Sequence, residues 1–162
     1  MYEEAIYTLF GFLLFVLWDF LKGRMEARHE KRRITSMLQM EIMANQEISK
    51  KNRNILTRDL TAHMIEKEVV ITPIRFSTTA WNIVRAVDIV SMFDNATLRM
   101  LGDSYVLVDW INANMSNRDA LRFTGGCFEK YPETMAKHDQ VLLGMMSDLD
   151  KKLESLLDAL RR

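Results

Sequence analysis

Three histidines and one cysteine are the residues of this 162-residue chain that most often serve as bases, nucleophiles or metal ligands. His29, His63 and His138 are far apart in the sequence, and none stands at the spacing of a nucleophile and its base or of a zinc site. Cys127 has no second cysteine with which to form a disulfide or a thiolate metal cluster. We therefore predict no catalytic residue, no metal and no cofactor.

Methionine is the other candidate ligand, because the segment MLQMEIM places Met37, Met40 and Met43 three residues apart. Thioether side chains at such a spacing sometimes bind Cu(I). Each three-residue step along an α-helix drifts by about 60°, so the three side chains do not share one face. The sequence favours the commoner role of methionine, which is to fill irregular cores and adaptable contact surfaces.

The balance of charges and the absence of nucleotide-binding motifs argue against nucleic-acid and nucleotide partners. The 22 basic and 22 acidic residues balance, so the basic excess of many nucleic-acid-binding proteins is absent. The chain has neither a Walker loop nor a dinucleotide fingerprint, and Gly125 and Gly126 are expected to end a helix. We predict no nucleic-acid partner and identify no small-molecule substrate.

The remaining polar candidates lie on a long helix predicted for residues 24 to about 66. Its apolar positions recur at heptad spacing, and Glu41, Asn45 and Asn52 stand at intervening positions of the same seam, as does Asp59. Such polar side chains could line a polar site or a water path between helices. Buried asparagines at these positions more often fix the register and the oligomeric state, and we favour that interpretation.

The stretch FGFLLFVLWDFLKGR, residues 10 to 24, raises the question of whether the start of the chain lies in water, in the protein core or in lipid. A cleaved signal peptide and a buried core helix are the alternatives to a membrane span. Glutamates stand where a signal peptide is basic, and a core helix usually has one polar face. We therefore predict a transmembrane helix over Ala5 to Leu21, about 26 Å long. Its lipid-facing residues are Ile6, Leu9, Phe10, Phe12, Leu13, Leu14, Phe15, Val16, Leu17 and Trp18.

The orientation of this predicted span follows from the charges around it. Residues 22 to 33 carry six basic and two acidic side chains, whereas the start of the chain has two glutamates and no Lys or Arg. Positive flanks stay in the cytoplasm, so the N-terminus should be outside and the C-terminal domain cytoplasmic. The side chains expected to contact lipid headgroups are Lys22, Arg24, Arg28, Lys31, Arg32 and Arg33.

The rest of the chain reads as helices joined by short breaks. Residues 67 to 79 are rich in β-branched side chains around Pro73 and predict an extended connector, for which pairing with a neighbouring subunit is one option. A mostly apolar helix from about residue 80 should be the innermost one. A third helix is capped by Asp94 or Asn95, and a terminal helix begins near Pro132. Its heptad packing seam consists of Leu142, Met146, Leu149, Leu153, Leu156 and Leu160.

Two short patterns carry a resemblance to known proteins. The first is MLQMEIMANQEI, with Leu38, Glu41, Ile42 and Asn45 in the pattern L-x-x-E-I-x-x-N. The second is RFSTTAWNIV, with Phe76, Thr78 and Trp81 in the pattern F-x-T-x-x-W, followed by a Tyr-bearing third helix. With these patterns the chain resembles a widespread group of uncharacterised prokaryotic membrane-anchored helical proteins. The resemblance implies a fold and a location, and it implies no activity.

These observations predict an all-α protein in which residues 1–23 form a transmembrane anchor and residues 24–162 form a cytoplasmic bundle of about four helices. We expect an assembly or recruitment protein that is not an enzyme. Its expected partners are the lipid bilayer and either further copies of itself or a partner membrane protein. The alternatives are a membrane-acting effector or channel-like subunit and, less favoured, an enzyme with an unrecognised polar site.

Overall fold

A computed structural model describes residues 2–64, 72–86, 92–125 and 132–161 of the chain. Side chains are described for residues 14–61, 72–86, 92–121 and 133–161. Within these ranges the backbone forms four helices and no strand: α1 (Tyr2–Met64), α2 (Thr79–Arg85), α3 (Asn95–Gly125) and α4 (Pro132–Arg161). The prediction of an all-α helical bundle is confirmed.

The chain divides into two compact units, residues 1–36 and residues 37–162. In the first unit α1 continues through Gly23, where an added Cβ would meet no atom within 4 Å. Side chains 14–33 are all exposed. The Arg24 guanidinium lies 4.5 Å from the centre of the Phe20 ring, and Lys22 pairs with Glu26 at 4.0 Å across one helical turn.

The predicted single-pass location is wrong, because no helix in the described part of the chain is long and apolar enough to cross a bilayer. Of the predicted span side chains, the structure describes Leu14, Phe15, Val16, Leu17 and Trp18, and all five are exposed. The other predicted span side chains lie outside the described residues: Ile6, Leu9, Phe10, Phe12 and Leu13. The outside N-terminus and the cytoplasmic placement of the bundle rested on this span and are corrected with it, whereas the headgroup contacts and the alternative functions stay predictions.

In the second unit, side-chain contacts fix the directions of the helices. Tyr105 and Met115 of α3 contact Glu41 and Asn52 of α1, so α1 and α3 run parallel. By contrast, Gln39 bonds the carbonyl of Leu160 and Arg53 bonds Asp150, so α4 runs antiparallel to α1.

Apolar periodicity explains why these helices pack together. The structure buries the whole predicted seam of α4, Leu142, Met146, Leu149, Leu153, Leu156 and Leu160. The buried face of α3 has the same spacing of three and four residues, with Leu101, Val108, Ile111 and Met115. Each such side chain contributes about 1.5–3 kcal/mol when it leaves water, so the two helices pack along their length.

The apolar segment after the connector does not form the innermost helix. The helix α2 has seven residues, and only Ala80 and Val84 are buried in it. Ile83 is 44% exposed, and Trp81 is half-buried. Residues 87–91, which were expected to continue this helix, lie outside the described part of the chain. Before α2, the segment 72–78 buries Pro73 and Phe76.

Candidate functional site

Residues 72–78, here called the connecting segment, join the part of the chain after α1 to α2 and form neither helix nor strand. The predicted polar seam of α1 lies against this segment, and Glu41, Asn45 and Asn52 are all buried. A backbone without regular structure needs other partners for its N–H and C=O groups when it is buried. The polar seam supplies those partners.

Three asparagines each bond both backbone groups of one residue in the connecting segment; we call them the asparagine clamp. The amide of Asn52 accepts from the Ile74 N–H at 2.7 Å and donates to the Ile74 carbonyl at 2.6 Å. Asn45 makes the same pair of bonds with Ser77, both at 2.8 Å. From the side of α3, Asn112 accepts from the Phe76 N–H at 2.9 Å and donates to its carbonyl at 3.0 Å.

The spacing of the clamp on α1 matches the spacing of the residues that it holds. Asn45 and Asn52 are seven residues apart, about 10.5 Å along a helix. Their partners Ser77 and Ile74 are three residues apart, about 9 Å in an extended chain with three residues per turn. The pairing of 45 with 77 and 52 with 74 makes the connecting segment run antiparallel to α1.

Glu41 continues the seam and caps α2 from a distance. Its Oε2 accepts from the Ala80 N–H at 2.7 Å and from the Ser77 hydroxyl at 2.8 Å, and its Oε1 accepts from the Trp81 N–H at 3.2 Å. The first N–H groups of a helix have no partner within the helix and carry partial positive charge. No side-chain hydrogen bond from Thr78 caps α2, so the carboxylate of Glu41 serves instead.

The fourth donor to Glu41 is the hydroxyl of Tyr105, at 2.7 Å from Oε1. Burial, and after it the hydrogen bond and the charge of Glu41, raises the pKa of Tyr105 above its ordinary value. The Tyr105 ring is stacked on Trp81, with centroids 5.0 Å apart and planes at 7°. The phenol is therefore held protonated as a donor, and it ties α3 to both α1 and α2.

A second buried polar group lies farther along the same face of α1; we call it the arginine cluster. Arg118 of α3 is fully buried and pairs with Asp139 of α4, with Nε 2.6 Å from Oδ1, and with Asp59 of α1. Burial by itself lowers the pKa of Arg118, but the hydrogen bonds and charges of Asp139 and Asp59 outweigh it and raise that pKa. One guanidinium thus joins three helices.

The residues first considered for chemistry do not meet. Among the described side chains His29 is exposed and His138 is half-buried, and no group of three potential metal ligands forms. Met40 and Met43 are exposed, while Met37 is half-buried, so they do not form a thioether site. The side chains of His63 and Cys127 lie outside the described part.

Sequence reasoning missed the arginine cluster, although its signal is present. Arg118 follows Met115 by three residues on the apolar face of α3, and Asp139 precedes Leu142 by three residues on the seam of α4. Asp59 stands on the seam of α1, seven residues after Asn52. A charged residue on each of three apolar seams, with one positive and two negative, indicates a buried ion cluster.

The outer face of α3 differs from the outer face of α4. A stripe along α3 carries exposed apolar side chains at helical spacing, here called the α3 stripe: Val106, Trp110, Ala113 and Leu121. Trp110 is 65% exposed and Val106 is 56% exposed. The exposed face of α4 is charged or polar except at Val141 and Gly144.

Comparison with family models, curated proteins and solved structures finds no match to this chain. The resemblance to membrane-anchored helical proteins therefore stays a prediction. The residues of its two patterns do contact each other. Asn45 of the first pattern bonds Ser77, and Glu41 of the first pattern bonds Trp81, and both partners lie within the second pattern. Those contacts explain the patterns as packing and capping residues of one buried assembly.

Proposed function

We propose that this protein is a helical assembly subunit that associates with further copies of itself through the α3 stripe. The observation that carries the proposal is the exposure of Trp110 beside Val106 on the same face of α3. Single exposed apolar residues are normal on protein surfaces, but apolar residues in a row at helical spacing are typical of an interface. Tryptophan is enriched among the residues that dominate binding energy.

The length of the α3 stripe supports packing against a second helix. Val106 and Leu121 are fifteen residues apart, about 22 Å along the helix. Helices associate in water when each buries such a row of apolar side chains against the other. α3 is also joined to α1 and α4 by Tyr105 and Arg118, so it presents the stripe on a rigid support.

The buried polar groups support a structural role over a catalytic one. The oxygens of Glu41 accept four hydrogen bonds from the chain itself, and the asparagine clamp is occupied by backbone. A catalytic base must reach a proton of its substrate, which these groups do not while so paired. We therefore propose that the polar seam positions the connecting segment and does not catalyse a reaction.

The test is the sedimentation mass of the whole chain over a range of concentrations. We expect the wild type to form an oligomer and Trp110→Glu to weaken association at least about tenfold, because a charge replaces an aromatic anchor. Val141→Glu is the matched control, since Val141 is similarly exposed, at 59%, but stands alone on α4. The proposal would be contradicted if both variants associated as strongly as the wild type does, or if the wild type stayed monomeric.

A further inference from the structure

The asparagine clamp makes six hydrogen bonds to the backbone of the connecting segment. Three amide side chains bond the N–H and C=O of Ile74, Phe76 and Ser77, and no side chain of the segment takes part in those six bonds. Backbone pairing of this kind is how proteins bind extended peptides as separate ligands. We call this site the α1–α3 groove; the three asparagines of the clamp make these bonds, and Glu41 with its donor Tyr105 lies at one end of it.

The side chains of the connecting segment divide into anchors and exposed positions. Pro73 and Phe76 are buried, the latter 4% exposed, whereas Ile74 and Arg75 face solvent. The Ser77 hydroxyl adds one specific bond, to Glu41. The backbone that occupies the groove thus carries a buried proline, a buried aromatic residue three positions later and a serine after it.

We propose that the α1–α3 groove is a binding site for an extended peptide and that, in the assembled protein, it accepts the connecting segment of a second copy of this chain. The partner's segment has the sequence that the groove fits, so exchange between copies preserves every contact described above. The proposal rests on the proposed function, because association holds two copies together. Within one chain the covalent linkage gives the connecting segment a high effective concentration at its own groove. The segment of a second copy competes with it when association holds the two copies together.

Chain length permits the exchange. Residues 65–71 and 87–91 flank the part that would be exchanged, which comprises the connecting segment and α2. Fully extended, seven residues reach about 25 Å and five residues reach about 18 Å. Both lengths exceed the diameter of about 10–12 Å of a helix with its side chains. A segment crossing to a neighbouring copy therefore has enough chain on either side to pass one helix.

The experiment traps the segment in its groove and identifies which copy contributes it. The photo-reactive residue p-benzoylphenylalanine replaces Ile74, which is 46% exposed, in the full-length chain; a second variant carries it at the exposed Arg75. Unlabelled and nitrogen-15-labelled copies are mixed in urea, refolded together and irradiated. Mass spectrometry of peptides cross-linked to α1 then counts the pairs that join a labelled to an unlabelled copy.

Exchange predicts that about half of the cross-linked pairs are mixed at concentrations where the protein is oligomeric, and that Trp110→Glu lowers this fraction at equal concentration. An oligomer whose pairs to α1 are all unmixed would overturn the exchange and leave the proposed function intact. A protein that sediments as a monomer at every concentration would instead overturn the proposed function, and the exchange with it.

Discussion

The asparagine clamp and the arginine cluster are two ways of satisfying polar side chains that are buried on the same face of α1. Asn45, Asn52 and Asp59 follow one another at seven-residue steps along this face, and all three are buried. The two asparagines hold irregular backbone with neutral amides, whereas Asp59 joins Arg118 and Asp139 in an ionic group. The buried face of one helix therefore changes from bonding backbone groups to pairing with a charged side chain within two turns.

The two groups differ in how much free energy of unfolding is lost when one partner is removed. A neutral amide that loses its partner leaves polar groups that water can partly satisfy, at about 1–3 kcal/mol. A buried carboxylate without its counter-charge costs more, because desolvation of an ion is expensive. The arginine cluster should behave as a fixed joint between three helices, and the asparagine clamp as the part from which a segment can be released.

The largest effect is expected when the arginine cluster loses its positive charge. Arg118→Met removes the buried positive charge that both Asp59 and Asp139 contact and should lower the free energy of unfolding by about 3–5 kcal/mol. Urea denaturation followed by helical circular dichroism measures it. Replacing all three members with Met or Leu should restore most of the loss, because a well-packed apolar cluster removes the desolvation cost.

An exposed arginine provides the matched control for that variant. Arg53 pairs with Asp150 at 2.9 Å, but its side chain is 48% exposed. Arg53→Met should change the free energy of unfolding by less than about 1 kcal/mol, because surface ion pairs contribute little. Equal effects of Arg53→Met and Arg118→Met would mean that the arginine cluster is not the joint between the helices.

A smaller and more local effect is expected in the asparagine clamp. Asn52→Leu removes both bonds to Ile74 and should cost about 2 kcal/mol. Because the loss falls on the connecting segment, amide exchange at Ile74 should rise while exchange in the middle of α4 changes only as global stability changes. Asn54→Leu, at an exposed position of the same helix, should stay within about 0.5 kcal/mol of the wild type. Exchange that rises equally in both places would show that the segment does not release separately.

The sequence predicted the helices better than it predicted what they hold. Helical spacing identified the α4 seam, and Asp94 caps α3 as expected, with its carboxylate 2.7 Å from the Thr97 N–H. Heptad spacing also placed Glu41, Asn45 and Asn52 on one face. Their backbone partners lie between 22 and 40 residues away, in the connecting segment and the first turn of α2, and Tyr105 lies 64 residues from Glu41, so no local pattern connects them.

Two sequence expectations failed for physical reasons that particular residues make plain. The apolar composition after Thr79 suggested an innermost helix, but Trp81 finds its contact by stacking on Tyr105, and Ile83 remains exposed. Hydrophobicity alone does not say which side of a short helix meets the core. The membrane span was inferred from the apolar residues near the start of the chain, but no helix in the part that the structure describes is both long enough and apolar enough to cross a bilayer.

The smallest effect concerns the bond between Tyr105 and Glu41, and it depends on pH. Tyr105→Phe should cost about 1–2 kcal/mol at neutral pH, because the buried carboxylate loses one donor. The pKa of Tyr105 is raised in the folded protein, so unfolding releases a proton once the pH exceeds the ordinary tyrosine value of about 10. The contribution of Tyr105 is thus complete below that pH and is lost above it, at up to about 1.4 kcal/mol per pH unit. The stability difference between wild type and Tyr105→Phe, measured by urea denaturation, should stay constant up to about pH 9 and shrink by about pH 11. A difference that does not change across this range would mean that the hydroxyl is not held as a protonated donor to Glu41.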